Sequence, residues 1–171
     1  MRIAIEPSHE GNMEAFSHYW NSAVAYQQAN RLPSWPSFPE PTIRAEIRDG
    51  LHFQATYEGQ ILGYFSLALN DPIIWQDLEK GDAIYIHRMC VNPSIRGQKL
   101  ASHVFDWACS YCTSLGRKYV RMDTWASNKG LIDYYEKCGF RVLKFKQLGV
   151  MPELPSHYSN IELVMFQNEN H

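Results

Sequence analysis

The chain has 171 residues, 45% of them apolar and 20% charged, with a formal net charge of −2. That composition excludes a disordered chain, the length suits one hydrophobic core, and the charge lacks the basic footprint of a nucleic-acid binder. No apolar run reaches the roughly 18–20 residues of a membrane span, and Pro7 interrupts the short apolar start too soon for a signal peptide. A cytoplasmic protein with a single domain over residues 1–171 is the expectation.

In chain order, Arg2–Glu6 reads as a short edge strand. Met13–Ala29 reads as a helix with Phe16, Trp20, Ala23 and Val24 on one stripe at three- and four-residue spacing. The stretch from Leu32 to Pro41 is too rich in proline for regular structure, because proline lacks an N–H donor and fixes φ. Thr42 is placed to cap a short helix running to about Asp49. Two strands follow, Leu51–Tyr57 and Ile61–Leu69, joined by the turn signal Glu58-Gly59-Gln60. Asn70–Asp82 reads as a loop that carries the apolar Ile73-Ile74-Trp75, and Ala83–Val91 as a strand that Asn92-Pro93 ends.

Gln98–Leu115 is the strongest helical pattern, with Leu100, Val104, Ala108, Tyr111, Cys112 and Leu115 on its buried stripe and Gly116 as the residue that stops it. Lys118–Trp125 then reads as a strand, Asn128–Cys138 as a helix ended by Gly139, and Phe140–Lys146 and Ile161–Gln167 as closing strands. This alternation predicts an α/β (α+β) fold: a mixed sheet with a β-α-β unit in its middle and helices on its faces.

Four cysteines, Cys90, Cys109, Cys112 and Cys138, lie in apolar surroundings. The Cys109/Cys112 pair sits well inside a helical pattern, away from the helix start that would activate a redox thiol, and it lacks two further ligands for zinc. Packed core thiols are expected, and no metal.

Residues 83–140 run AIYIHRMCVNPSIRGQKLASHVFDWACSYCTSLGRKYVRMDTWASNKGLIDYYEKCGF. A strand ends in Val-x-Pro, an Arg-Gly-x-x-x-Ala turn opens a long helix, a second strand follows, and Asn precedes a helix that ends Tyr-Glu-Lys-x-Gly-Phe. This ordered set resembles the GNAT superfamily of N-acetyltransferases. The resemblance implies that family's mixed, mostly antiparallel sheet with helices on both faces, and transfer of an acetyl group from acetyl-coenzyme A (acetyl-CoA) to an amine. The acceptor would be a small molecule or a peptide, with no nucleic-acid or membrane partner, and a homodimer is compatible with the fold.

The same resemblance assigns roles to residues. The turn Arg96, Gly97, Gln98, Lys99, Leu100 and Ala101, with the Ser102 hydroxyl, would hold the pyrophosphate at a helix N-terminus. Lys99 stands where the family carries the central glycine of this turn, and a negative φ there would let the side chain turn outward. Met89, Cys90 and Val91 would present backbone groups to the pantetheine arm, released by a kink or bulge at Cys90, with an N–H there to stabilise charge on the thioester oxygen. Asn128 would contact the same arm or cap its own helix. Tyr135 would serve the departing thiolate, with Tyr134 about 100° away on the helix in a structural role.

His87 stands where the family often has glutamate, and is the first candidate for the base that takes the amine's proton; Glu46, Asp123 or a water chain are the others. The acceptor pocket would be shaped by the N-terminal helices, the 33–41 stretch and the 70–82 loop, with His18, Tyr19, Trp20, Trp35, Phe38 and Trp75 as lining or as core. A non-catalytic acyl-CoA sensor on the same fold is the main alternative. A dinucleotide-binding protein is disfavoured by the lack of G-x-G-x-x-G after a strand, and a Trp35–Pro41 interaction surface reads better as a loop covering substrate.

Overall fold

The computed structural model describes residues 3–95 and 99–169. Its contacts divide the chain into two units, Met1–Leu67 with Ile86–Val104 and Ala68–Tyr85 with Phe105–His171.

The first unit contains β1 (Ala4–Pro7), α1 (Met13–Ala29), α2 (Glu40–Arg48), β2 (His52–Tyr57), nearly all of β3 (Gln60–Ala68) and the C-terminal part of β4 (Ala83–Val91). β1 pairs antiparallel with β2, and β2 with β3. The β2–β3 turn has positive φ at both Glu58 (48°) and Gly59 (78°), the geometry whose twist matches that of the flanking strands. α1 has the predicted bounds and buries Met13, Phe16, Tyr19 and Trp20. Met13, Phe16 and Tyr19 share a core cluster with Ile43 of α2, Tyr64 of β3 and Cys90 of β4. Each large side chain in such a cluster contributes roughly 1.5–3 kcal/mol of burial.

The start of α2 differs from expectation. The helix begins at Glu40 after Pro39, Thr42 lies inside it, and no side chain caps it. Pro41 is tolerated because the first turn leaves its N–H groups unpaired in any case, so a proline there loses no bond. The preceding segment is held on α1: Trp20 Nε1 donates to the Pro36 carbonyl at 2.9 Å, and Trp35 stacks on Trp20 with ring centroids 4.4 Å apart.

The second unit contains α3 (Pro72–Trp75), the start of β4, most of α4 (Leu100–Ser114), β5 (Tyr119–Trp125), α5 (Lys129–Lys137), β6 (Val142–Gln147) and β7 (Glu162–Glu169). β4 and β5 run parallel over Ala83↔Tyr119 to Tyr85↔Arg121, while β5–β7 and β6–β7 are antiparallel. β4 belongs to both units, and the order of the seven strands is β1-β2-β3-β4-β5-β7-β6. The fold is therefore the expected mixed, mostly antiparallel α/β class.

α4 stops as expected. Arg117 N–H donates to Cys112 O and Gly116 N–H to Thr113 O, the paired bonds that satisfy the last carbonyls of a helix. Leu115 lies beyond the helix and is exposed, against its predicted place on the buried stripe. The 70–82 segment is not all loop. The Asp71 carboxylate accepts from the Ile74 amide and starts α3, which carries Trp75 into the core of this unit. Trp75 lies under the guanidinium of Arg121 at 4.8 Å. Arg121 is 3% exposed; its donors bond to Gln167, the Leu78 carbonyl and the Tyr85 hydroxyl, and the Asp82 carboxylate lies 3.8 Å away. A buried cation is tolerable only when its donors are satisfied in this way. No helix among the described residues is long and apolar enough to cross a membrane.

Candidate active site

In the first unit the site residues gather at the end of β4. The irregularity expected at Cys90 falls instead at Arg88, whose φ is +52°. A non-glycine residue held there costs about 1–2 kcal/mol, so the surrounding structure must enforce it. Arg88 Nη2 donates to Glu46 Oε1, and Ser66 Oγ donates to Glu46 Oε2 at 2.5 Å. The carboxylate proposed from sequence as a base is thus engaged at both oxygens. A left-handed residue in a strand acts as a bulge does, re-aiming the peptide groups that follow.

Beyond Arg88, Met89 and Val91 are half-buried, while Cys90 is 2% exposed. Burial pushes the Cys90 thiol up to about 12, so it is a packed thiol and not a nucleophile. The strand end is fastened by Asn92, which sequence analysis reads only as a breaker. Its Nδ2 donates to Tyr19 Oη at 3.0 Å and to the Ile61 carbonyl at 3.1 Å. Its Oδ1 accepts from Ser94 N–H, and its own N–H donates to Leu62 O. The Asn-Pro dipeptide, a common turn initiator, is the signal that was available.

Gly63 on β3 makes room for this arrangement. A Cβ built there would lie 2.5 Å from the Cys90 carbonyl oxygen and 2.6 Å from Leu100 Cδ2. The absent side chain lets the end of β4 and the first turn of α4 approach β3.

At the start of α4, Lys99 has φ +50°, so the condition of a negative φ, under which the sequence would let its side chain turn outward, is not met. The turn keeps the left-handed shape that suits the family's glycine, with the lysine side chain exposed. Leu100 and Ala101 are buried, Ser102 is half-buried, and the Ser102 amide donates to Lys99 O at 2.9 Å. Helix geometry leaves the first amides without partners one turn back, and α4 is 15 residues long. Amides at the positive end of a helix, together with an ammonium group, form a donor set that suits a pyrophosphate. Arg96, Gly97 and Gln98 lie outside the described residues.

In the second unit, Tyr135 is 8% exposed and packs edge-on against Phe140 at 5.6 Å and Phe166 at 5.8 Å. Its ring is therefore core, whatever its hydroxyl does. Asn128 caps α5, with its Oδ1 accepting from the Leu131 amide at 3.1 Å, which leaves its Nδ2 free of the cap. Asp123 on β5 has a buried Oδ1 without a hydrogen-bond partner among the described residues. Burial first, and the charge of Asp71 second, push this carboxyl up to about 7. His87 is half-buried on β4 in the first unit.

The cysteine pair behaves as core. The Cys112 thiol donates to Tyr119 O at 3.4 Å, and burial pushes Cys109 up to about 11. The aromatics weighed as pocket lining divide: Tyr19, Trp20 and Trp75 are buried, Trp35 and Phe38 are half-buried, and His18 is exposed.

Residues 13–140 match the acetyltransferase (GNAT) family, and the chain belongs to that family. It is 28% identical over 89 residues to an uncharacterized N-acetyltransferase of Methanocaldococcus jannaschii, covering 52% of this chain and 38% of that protein. The chain matches about two-fifths of the length of this and of a Bacillus subtilis relative, for which the share is 41%. Among solved structures, an N-acetyltransferase from Staphylococcus aureus Mu50 superposes with a TM-score of 0.71 at 15% identity, covering 100% of both chains. YncA from Salmonella typhimurium, solved with its cofactor acetyl-CoA, gives 0.70 at 14% identity, covering 100% of this chain and 95% of the other.

Proposed function

We propose that the protein is an acetyl-CoA-dependent N-acetyltransferase acting on an amine of a small molecule or peptide. The observation that carries this reading is the left-handed Lys99 at the N-terminus of α4. A strained turn kept at the family's glycine position, despite a lysine, is what a backbone shaped to receive an anion would require.

Acetyl-CoA, when bound, supplies an activated thioester. The amides of Leu100 and Ala101, with the Lys99 ammonium and residues 96–98, would hold its pyrophosphate. Backbone groups of Met89, Cys90 and Val91 would hold the arm, and an N–H near Cys90 would stabilise charge on the thioester oxygen. His87 takes the proton from the attacking amine, and Tyr135 holds a phenolic proton for the departing thiolate. The carboxyl of Asp123, raised to about 7, supports a second reading in which it is the base. The pH–rate profiles of His87→Asn and Asp123→Asn separate the two, since only loss of the true base removes the acidic limb.

Calorimetric titration with acetyl-CoA tests the reading. We expect micromolar binding, weakened about tenfold by Lys99→Glu, and thiol release with an amine that falls about a hundredfold in Tyr135→Phe. Binding without thiol release across an amine screen would instead identify an acyl-CoA sensor. No binding at millimolar acetyl-CoA would overturn both.

A further inference from the structure

We propose that Glu46 is a positioning residue for the acyl-donor site: by gripping the Arg88 guanidinium it holds β4 in its left-handed turn, and so aims the backbone groups of Met89–Val91. The inference rests on the acetyl-CoA reading above, and it gives a role in that site to a residue of α2 outside the family's motif blocks.

The geometry lies within the first unit. Arg88 is the one position of β4 with positive φ, and no glycine eases it. Extended backbone is the lower-energy alternative for an arginine, so something must select the turn. Glu46 supplies that selection from a partly desolvated position, with its side chain 14% exposed and that of Arg88 30% exposed. A charge-assisted contact at such a site is stronger than one at the surface. Ser66 Oγ, bonded to the other carboxylate oxygen, keeps Glu46 from rotating away.

If the turn relaxed to extended strand, the side chains that follow would exchange faces. Cys90 would leave the cluster it forms with Phe16, Tyr19 and Tyr64, and its carbonyl would leave Gly63. The pairing of Glu46 thus reaches the peptide groups of residues 89–91 through the backbone alone. Both its oxygens already accept hydrogen bonds, which suits a strut better than a base.

The test is acetyl-CoA affinity, read by calorimetry, for the wild type, Glu46→Ala, Glu46→Gln and the double variant Glu46→Ala/Arg88→Gly. Glycine adopts the left-handed turn without strain and needs no strut. Glu46→Ala is expected to weaken binding about tenfold, Glu46→Gln by less, and the double variant to return to within about threefold of wild type. Unchanged affinity in Glu46→Ala, or a tenfold loss that Arg88→Gly does not rescue, overturns the proposal. If Glu46→Ala does not fold, Glu46→Gln with and without Arg88→Gly carries the same comparison. Failure of the wild type to bind acetyl-CoA would overturn the underlying reading, and is seen before any variant is compared.

Discussion

Replacing Gly63 by alanine is the sharpest test of how the end of β4 is built. The new Cβ would meet the Cys90 carbonyl oxygen at 2.5 Å, Leu100 Cδ2 at 2.6 Å and Val91 Cα at 3.3 Å. The leucine methyl can rotate aside, but two of the three neighbours are backbone. β3 and β4 must therefore separate by several tenths of an ångström, loosening the Asn92 N–H bond to Leu62 O. Overpacking of this kind costs about 1–3 kcal/mol, partly offset by the roughly 0.5–1 kcal/mol that alanine recovers over glycine in a strand. The net expectation is a loss of about 1–2 kcal/mol, a fall in Tm of roughly 3–8 °C for a chain of this size. Acetyl-CoA affinity should fall as well, because the displaced carbonyl belongs to the segment proposed to receive the cofactor arm. Gly149, whose added Cβ meets nothing within 4 Å, is the control and should tolerate alanine. A Gly63→Ala protein with the Tm and affinity of the wild type would refute this account of the close approach.

Three further outcomes are expected. His52 is fully buried between Phe16 and Tyr64, with neither ring nitrogen bonded among the described residues, and burial lowers it to about 4. The unfolded chain takes up this proton near pH ~6.5 and the folded one only near 4, so stability falls as pH drops through that window, by about 3 kcal/mol in all. Urea midpoints against pH should show a shallower fall in His52→Phe, and equal slopes would refute the assignment. Asp123 has the opposite sign: its folded carboxyl holds a proton up to about 7 and its unfolded one only to about 4, so its penalty grows as pH rises between them. Asp123→Asn should raise stability near pH ~8 by up to roughly 4 kcal/mol, seen as a higher Tm, and do little near pH ~4; equal Tm gains at both values would refute it. Lys99→Gly should relieve about 1 kcal/mol of backbone strain and raise Tm by roughly 2–4 °C, while flattening the salt dependence of acetyl-CoA binding. A lower Tm would mean that the lysine is not strained.

The local code of the chain was largely legible. α1 and β4 have the bounds that their apolar spacing predicts, Asn128 caps α5, and Gly116 ends α4, because these features depend on neighbours within one turn or one strand. The family was legible for a related reason: its motif blocks lie in one stretch, where order and spacing can be read without folding. α3 was missed because four residues carry too little periodicity to register, and its helix exists because Asp71 caps it and Trp75 finds Arg121. The positive φ of Lys99 and Arg88 was likewise out of reach. Backbone strain is not written in residue type, and propensity alone argues against both.

What sequence determined by itself was the succession of strands and helices and the family their motif blocks mark, since both are set by local pattern. Only the tertiary structure decided that Glu46 grips Arg88, that Asn92 ties β4 to Tyr19 and Ile61, and that Gly63 must lack a side chain. Each of those pairs residues 27 or more positions apart. Their geometry follows from how separate elements close on one core, which no local window contains.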